Sequence, residues 1–565
     1  MNRHVVRIEV EVMRAATTAT SPGTASPLDP QDAGSSTVRR PGLDQFVRGR
    51  PLRLAIWLLL AGTLLHLALA AGTDLSPDEA HYALFGAHPD WSYFDHPALT
   101  GWLQEPFVQA GGSDLQMRVV PMACWLAAAP LLFALCHRLT IDTQVDSDSA
   151  TRYDVAWVAA FLVLSPLIYL LGVALVPDTL LMPLVPTAML ATWRLRSPQA
   201  ARNWRCWATL GVILGLCMLA KYTGVFVVLG AVATLLSFHG RALTRQRGAW
   251  LAAALVALIA SPIVAWNEQH DWISLAYQGG HVAGGQPWRL SNAARAVALQ
   301  LLLFGPLIPA CAARACERTP RDVDPQSLQA TRDARRMGLM FGLPVLVVFV
   351  VLAGRGSSLP HWTVCGWIAL VPLAIAGARS LRRGTLVAMA IWQVALLAGI
   401  VGVLATGGPF EETGAAAVSP AGLRAAGARF NPVADVHGWS QAATHGAALA
   451  RRYDARGLAV MNWSLASRLA WYARPLPVFV APPRLDQFQL WFGALRRGDS
   501  AIVVDWSGMP LPVPVGPTGF ARCTGLDQIA TVENGRQLAH FNFLLCRDWS
   551  GTSQSPSAAD ISGVR

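Results

Sequence analysis

The sequence predicts a polytopic α-helical membrane protein with about eleven transmembrane helices and a small extracytoplasmic α/β domain near its C-terminal end. Three observations predict it. Of 565 residues, 53% are hydrophobic and 14% charged, too apolar a mixture for an ordinary soluble protein. Apolar runs of membrane-spanning length follow one another from residue 54 to 405. Beyond 406 the runs shorten, and Pro, Gly and Asp punctuate them.

Residues 1–50 are rich in Ser, Thr, Pro, Gly and Arg without sustained periodicity, which reads as a disordered cytoplasmic tail. Met13 is an alternative start. No cleavable signal sequence is evident, so the first span is expected to stay in place. The membrane domain is expected over 51–405, with runs near 54–72, 118–138, 154–173, 178–194, 205–220, 222–239, 249–266, 293–313, 337–354, 360–378 and 384–405. Pro166, Pro177, Pro183 and Pro186 mark expected breaks or re-entrant turns. The extracytoplasmic domain follows over 406–550, and a disordered tail over 551–565. In that domain the pattern predicts helices at 438–452 and 464–472 and strands at 458–461, 478–480, 501–504 and 538–545. Of nine cysteines, Cys523 and Cys546 alone fall there, and in an oxidising space they make a plausible disulfide.

The formal net charge of +11 does not point to nucleic acid. The arginines lie in short loops on alternate sides of the apolar runs: Arg48, Arg50 and Arg53, then Arg194 to Arg205, Arg241 to Arg247, Arg314 to Arg336, and Arg379 to Arg383. The intervening loops hold little beyond Arg289 and Arg355. That asymmetry is positive-inside topology and places the N-terminus in the cytoplasm. The first outer loop and the C-terminal domain then share the outer face. Lys221 is the one lysine in the chain, and it ends a span on that same face.

The first outer loop, 73–115, holds seven carboxylates, three histidines and no Lys or Arg. Ser76, Pro77 and Glu79 form a capping box with proline at the first helical position, which gives Glu79 a structural reading beside a chemical one. Asp78 falls in the first turn, where the helix dipole favours the ionised carboxylate, ready to act as a general base. Tyr82 lies one turn on, on the same face. Asp95-His96-Pro97 adds a second carboxylate and a switchable imidazole.

Elsewhere on the outer face, Asp178 is either a helix cap after Pro177 or a functional intramembrane acid. Lys221 either snorkels to water or pairs with a lipid phosphate. The segment Asn267 to Trp272, with His270, suits a sugar, and equally a plain connection. Leu359-Pro-His-Trp362 offers His361 or an interfacial aromatic belt.

Ser76-Pro-Asp-Glu-Ala-His-Tyr82 with Tyr93-Phe-Asp-His-Pro97 resembles the first-loop signature of bacterial polyprenyl-phosphate-sugar-dependent membrane glycosyltransferases. These type-C enzymes are related to protein O-mannosyltransferases and lipid A aminoarabinose transferases. The resemblance continues at Pro177-Asp178, Lys221-Tyr222-Thr223, 267–272 and 359–362, and covers roughly 54–550. It implies transfer of a sugar from a polyprenyl phosphate to an acceptor hydroxyl on a glycan, lipid or protein, at the outer face of the cytoplasmic membrane. It implies Asp78, Glu79 and Asp178 as catalytic, and Tyr82, Tyr93, Asp95, His96, Lys221, His270, Arg355 and His361 as substrate contacts. In the aminoarabinose enzymes the position of His96 is a lysine, and many relatives carry a basic residue where this chain has Ser358; Arg355 is the nearest substitute. A divalent metal ion is the one cofactor in view, with Asp95 and His96 as its candidate ligands. A transporter or flippase for a lipid-linked sugar is the rival reading, and an assembly protein a third. The sequence shows neither the inverted repeats nor the midplane charges a transporter is expected to carry.

Overall fold

The computed structural model describes residues 49–143, 147–283, 287–317, 324–356, 358–408, 433–481 and 485–551. The tails expected at 1–50 and 551–565, with Met13, fall almost wholly outside them. The protein is a multi-pass helical membrane protein. Seven helices are long and apolar enough to cross a bilayer, and an eighth span is reached if the pair Leu290–Phe304 and Leu307–Glu317, bent by 97°, counts as one. The runs expected at 154–173, 178–194 and 205–220 form Ser147–Leu164 with Pro166–Leu171, Pro177–Arg194 and Trp204–Ala220, which are not both long enough and apolar enough to join that count.

Seven helices position the site: α1 (Arg50–Gly72), α2 (Pro77–Ala87), α3 (Val119–Thr143), α4 (Pro177–Arg194), α5 (Trp204–Ala220), α6 (Gly224–His239) and α7 (Arg247–Gln269). The long helices α8 (Pro325–Ala353) and α9 (Val364–Ala378) close the bundle around α4 and α6. Their packing follows membrane logic, where small residues let backbones approach. A Cβ on Gly211 of α5 would stand 2.8 Å from the backbone of Ala252 on α7. One helix shows the opposite surface: Arg383–Thr406 is almost wholly turned toward lipid.

Broken helices expose backbone groups that lipid cannot satisfy. Here side chains cross between two breaks. Ser165, at the break before Pro166, donates to the carbonyl of Phe304 at 2.8 Å, and Gln393 donates to the carbonyl of Leu164 at 3.0 Å. Pro183 and Pro186, read as breaks, lie inside α4 without ending it. Thr187 donates to the Pro183 carbonyl at 2.7 Å, within the turn that Thr187 shares with both prolines.

Residues 433–551 build a five-stranded mixed sheet with three helices, α10 (Trp439–Arg452), α11 (Trp463–Tyr472) and α12 (Gln487–Phe492). The strands are β1 (Leu458–Val460), β2 (Val478–Val480), β3 (Ala501–Trp506), β4 (Phe520–Glu533) and β5 (Arg536–Trp549), in the order β2-β1-β3-β5-β4. The pairs β1–β2 and β1–β3 run parallel, and β3–β5 and β4–β5 antiparallel. The pattern reading misses β4, an edge strand with most of its side chains in solvent. Its signal is Asn534-Gly535, left-handed at φ 49° and 76°, which joins β4 to β5 as a tight hairpin.

Cys523 and Cys546 face each other across β4 and β5 and form a disulfide. The bond closes a sequence separation of 23, for which chain entropy gives about 3 kcal/mol. Replacing both cysteines by serine is expected to lower the thermal midpoint of this region. The same shift should follow from reductant on the native chain, and reductant should not shift the double variant further.

Candidate active site

Two helices begin with the same pair, Pro-Asp. In α2, Pro77 takes the first position and Asp78 the second; in α4, Pro177 and Asp178 do the same. Proline fits there because the first amide of a helix has no partner to lose. The carboxylate that follows sits against free backbone N–H groups, which favour its charge. Asp78 is half-buried, with no hydrogen-bond partner among the described residues. Asp178 is 1% exposed.

Lys221 meets Asp178. It caps α5 in an extended conformation and is 5% exposed. The turn from α5 into α6 is tight: Gly224 N–H donates to the Lys221 carbonyl at 2.8 Å, and a Cβ on Gly224 would stand 2.1 Å from the Cys217 carbonyl. Any side chain at 224 would push the two helices apart. The ammonium therefore points inward, and Nζ stands 2.5 Å from Asp178 Oδ2. It does not snorkel to water. Asp178 Oδ1 is buried without a partner among the described residues. His361, in the turn that opens α9, brings Nε2 to 4.0 Å from Asp178 Oδ2. The charges of Asp178, Lys221, Asp78 and His96 all reach its ring.

A second chain of contacts borders the first. Asp95 accepts from His81 Nε2 at 3.3 Å on one oxygen and faces His96 Nδ1 at 3.1 Å on the other. Burial alone would raise this carboxyl, but the two imidazoles outweigh it and hold Asp95 well below the usual carboxylate range. Tyr82 brings its hydroxyl to 3.4 Å from His96 Nδ1. Burial, then the charges of Asp95, Asp78 and Asp178, push the Tyr82 phenol well above its ordinary value. Asp78, Tyr82, Asp95, His96, Asp178, Lys221 and His361 thus form one electrostatic cluster.

The remaining residues read from the sequence stand elsewhere. Glu79 is not at the mouth. Its oxygens take Arg118 Nε at 2.8 Å and Nη2 at 2.9 Å, and the expected capping box to Ser76 is present. Burial would raise Glu79, but the guanidinium overrides it and holds the carboxyl below its ordinary value. With Leu175 N–H also on Oε1 at 3.3 Å, the carboxylate is fully engaged in structure. Tyr93 lies in the core of the loop rather than toward substrate, stacked on Phe85 and donating to the Phe85 carbonyl at 2.8 Å. His270 stacks on Trp266 with ring centroids 3.9 Å apart and brings Nδ1 to 2.8 Å from the Trp266 carbonyl. Arg355 is exposed beyond the end of α8, where Gly356 turns at φ 99°.

Sequence reading missed the residues that hold the loop. Arg118 also donates to the carbonyls of Ala70, Thr73 and Asp74. Asp74 accepts the Trp439 N–H at 2.8 Å and so caps α10 from the first loop. Tyr472 of α11 donates to Asp114 at 2.8 Å and accepts from Leu75 N–H at 2.6 Å. Gln487 of α12 accepts from Phe94 N–H at 2.7 Å, and Trp463 packs edge-on to His81. Behind the cluster, Gln278 donates to the Asp95 carbonyl at 2.7 Å and Tyr222 meets Ser274 at 2.5 Å.

Asp95 and His96 do not fit a metal site. Each Asp95 oxygen is already taken by an imidazole, and among the described residues no group of three or more His, Cys, Asp or Glu side chains is arranged to hold an ion.

Comparisons with known proteins agree with the family resemblance. A family model described as dolichyl-phosphate-mannose-protein mannosyltransferase matches residues 95–266, a stretch that takes in Asp95, His96, Asp178 and Lys221 and starts after Asp78. The lipid A galacturonosyltransferase RgtD of Rhizobium johnstonii is 25% identical over 311 residues, covering 54% of this chain and 60% of RgtD. The chain therefore matches less than two thirds of that relative's length. Crystal structures of ArnT from Cupriavidus metallidurans, apo and bound to undecaprenyl phosphate, match with TM-scores of 0.54 and 0.51 at 14% identity. Each covers 87% of this chain and 97% of ArnT, which establishes the shared fold.

Glu79 and Asp95 both carry depressed values in the folded state. Their contribution to stability is present above the ordinary carboxylate range, near pH 4, and is lost as pH falls through the depressed values. The first loop is expected to become protease-sensitive only on acidification well below pH 4. Glu79→Gln should loosen it at neutral pH and weaken the pH dependence. A Glu79→Gln chain with the native protease profile across pH 7 to 3 would contradict the assignment.

Proposed function

We propose that this chain, a relative of the type-C membrane glycosyltransferases, transfers a sugar from a polyprenyl phosphate to an acceptor hydroxyl of the cell envelope. One observation carries the reading: a buried ammonium and a buried carboxylate meet at 2.5 Å beside the half-buried, unengaged Asp78. A bond between an anomeric carbon and a phosphate suits these charges, since its cleavage needs a base for the acceptor and a cation for the leaving phosphate. Asp78 takes the acceptor proton as the acceptor oxygen attacks the anomeric carbon. The bond from that carbon to the phosphate oxygen breaks, and its electron pair leaves on the lipid phosphate. Lys221 neutralises the charge that develops on the phosphate, and His361 and His96 line the same cluster. Asp178 holds the lysine in place and sets its direction. No step requires a metal ion bound at Asp95.

The setting supports the same reading. The short helices Ser147–Leu164, Pro177–Arg194 and Trp204–Ala220 are taken as spans in a bundle of about eleven, which accommodates short segments where they are buried in protein. The arginine-rich loops put the N-terminus in the cytoplasm, so the first loop and the sheet domain packed on it stand outside. The donor lipid would enter from the outer leaflet of the cytoplasmic membrane. RgtD and ArnT, a lipid A galacturonosyltransferase and a protein with an undecaprenyl phosphate complex, favour a lipid-linked donor and an envelope acceptor.

Asp78→Asn is expected to cut transfer by at least about a thousandfold, the upper part of the range for a positioned base combined with lost orientation. Folding and polyprenyl-phosphate binding should persist. Lys221→Ala is expected to weaken polyprenyl-phosphate binding, and Lys221→Arg to restore part of it. Transfer of labelled sugar from a sugar-linked polyprenyl phosphate in envelope vesicles measures the first, and lipid pull-down the second. Undiminished turnover by Asp78→Asn would overturn the proposal.

A further inference from the structure

Outside the cluster, a second cavity of about 190 Å³ opens at the tip of the first loop, lined by Asp90, Trp91, Trp266 and Gln269. At about 30 Å³ per water it has room for some six waters, the scale of one sugar ring. Its polar groups are fixed in advance. Asp90 Oδ2 accepts the Trp266 indole N–H at 2.9 Å, and Oδ1 accepts the Trp91 backbone N–H at 2.7 Å. The Asp90 carbonyl accepts the Trp102 indole at 2.8 Å, and its N–H donates to Tyr93 at 3.1 Å. The carboxylate cannot swing, yet it keeps lone pairs for further donors. Trp266 is itself braced by His270 stacked on its face. Trp91 is free of such cover, with 61% of its surface exposed.

An exposed aromatic face beside a fixed carboxylate and an amide has a specific chemical match. The C–H face of a pyranose stacks on an indole, and its hydroxyls donate to the carboxylate and bond both ways with the amide. A belt tryptophan at a lipid interface needs neither the fixed acid nor the amide. The cavity is also tied to the reaction centre. Four residues separate Asp90 from Asp95, and Phe94, the last of them, packs on Trp266 and Tyr277. Trp91 is exposed while Lys221 and Asp178 are buried, so the occupant can reach the cavity without passing the ion pair.

We propose that Asp90, Trp91, Trp266 and Gln269 form a saccharide-binding subsite that holds a sugar ring of the acceptor. This rests on the transferase reading and deepens it: the acceptor hydroxyl belongs to a glycan, not to a serine or threonine of a polypeptide. Glu79, Tyr93 and His270 then share a purpose, since they brace the loop and the indole that frame the subsite.

The test is saturation-transfer NMR on the full chain in nanodiscs. The probes are methyl α-glucopyranoside, methyl α-mannopyranoside, methyl α-galactopyranoside and a serine-containing tetrapeptide. At least one glycoside is expected to bind through its ring protons, and the peptide not. Trp91→Ala should weaken that binding about tenfold, Gln269→Ala several-fold, and Trp91→Phe by less than about threefold. Both positions are exposed, so the variants should fold. Absence of glycoside binding, equal binding by Trp91→Ala, or binding of the peptide instead would overturn the subsite. Failure of the transferase reading is seen separately, as undiminished turnover by Asp78→Asn.

Discussion

The contact between Lys221 and Asp178 is the constraint on which the site depends. An ammonium and a carboxylate 2.5 Å apart, 5% and 1% exposed, have both surrendered their water. Taking two ions out of water often costs more than their attraction returns, and an apolar pair of similar volume would serve stability as well. The free Oδ1 of Asp178 makes the arrangement less favourable still. The turn that imposes it is narrow, since the approach of Gly224 to the Cys217 carbonyl leaves no room for a side chain. A charge pair held this way at the edge of a membrane bundle, with Asp78 and His361 in electrostatic range, is built to receive a third charge. A phosphate that departs from a sugar is such a charge.

The rest of the structure keeps the acidic loop facing that pair. Seven carboxylates in one loop repel each other, and a loop left to itself would spread. Arg118 counters this from α3 side: it closes on Glu79 with two hydrogen bonds and on three carbonyls at the end of α1 and beyond. The sheet domain supplies the other wall. Asp74 caps α10, Tyr472 reaches Asp114 and Leu75, and Gln487 holds Phe94. Each of these contacts spends one member of the acidic loop, or one of its backbone groups, on geometry. Asp78 is left over, and that is why it remains available for chemistry.

Much of this was legible in the residues, and the failures have physical causes. Helices form at every apolar run from 54 to 405 because burial in lipid and hydropathy read the same property. Their status as spans is harder to read, since helices such as Trp204–Ala220 gain from protein neighbours what they lack in length. The capping box at Ser76 and Glu79 is local, and it appears as expected. The partner of Glu79 is 39 residues away, so no spacing rule could find Arg118. Tyr93 looked like a contact because it sits in a motif, yet its hydroxyl closes the loop on itself through Phe85. Lys221 stood out as the only lysine, but its partner Asp178 lies 43 residues earlier, beyond the reach of spacing rules. Strand β4 was lost to its solvated edge, although Asn534-Gly535 announced the hairpin.

The most direct measurement is an experimental structure of this chain with a polyprenyl phosphate bound. The account predicts the phosphate within hydrogen-bonding reach of Lys221 Nζ, about 3 Å, with Asp78 across the site on the side open to the acceptor. A phosphate seated elsewhere in the bundle, with the Lys221–Asp178 pair closed and solvent-free as before, would contradict it.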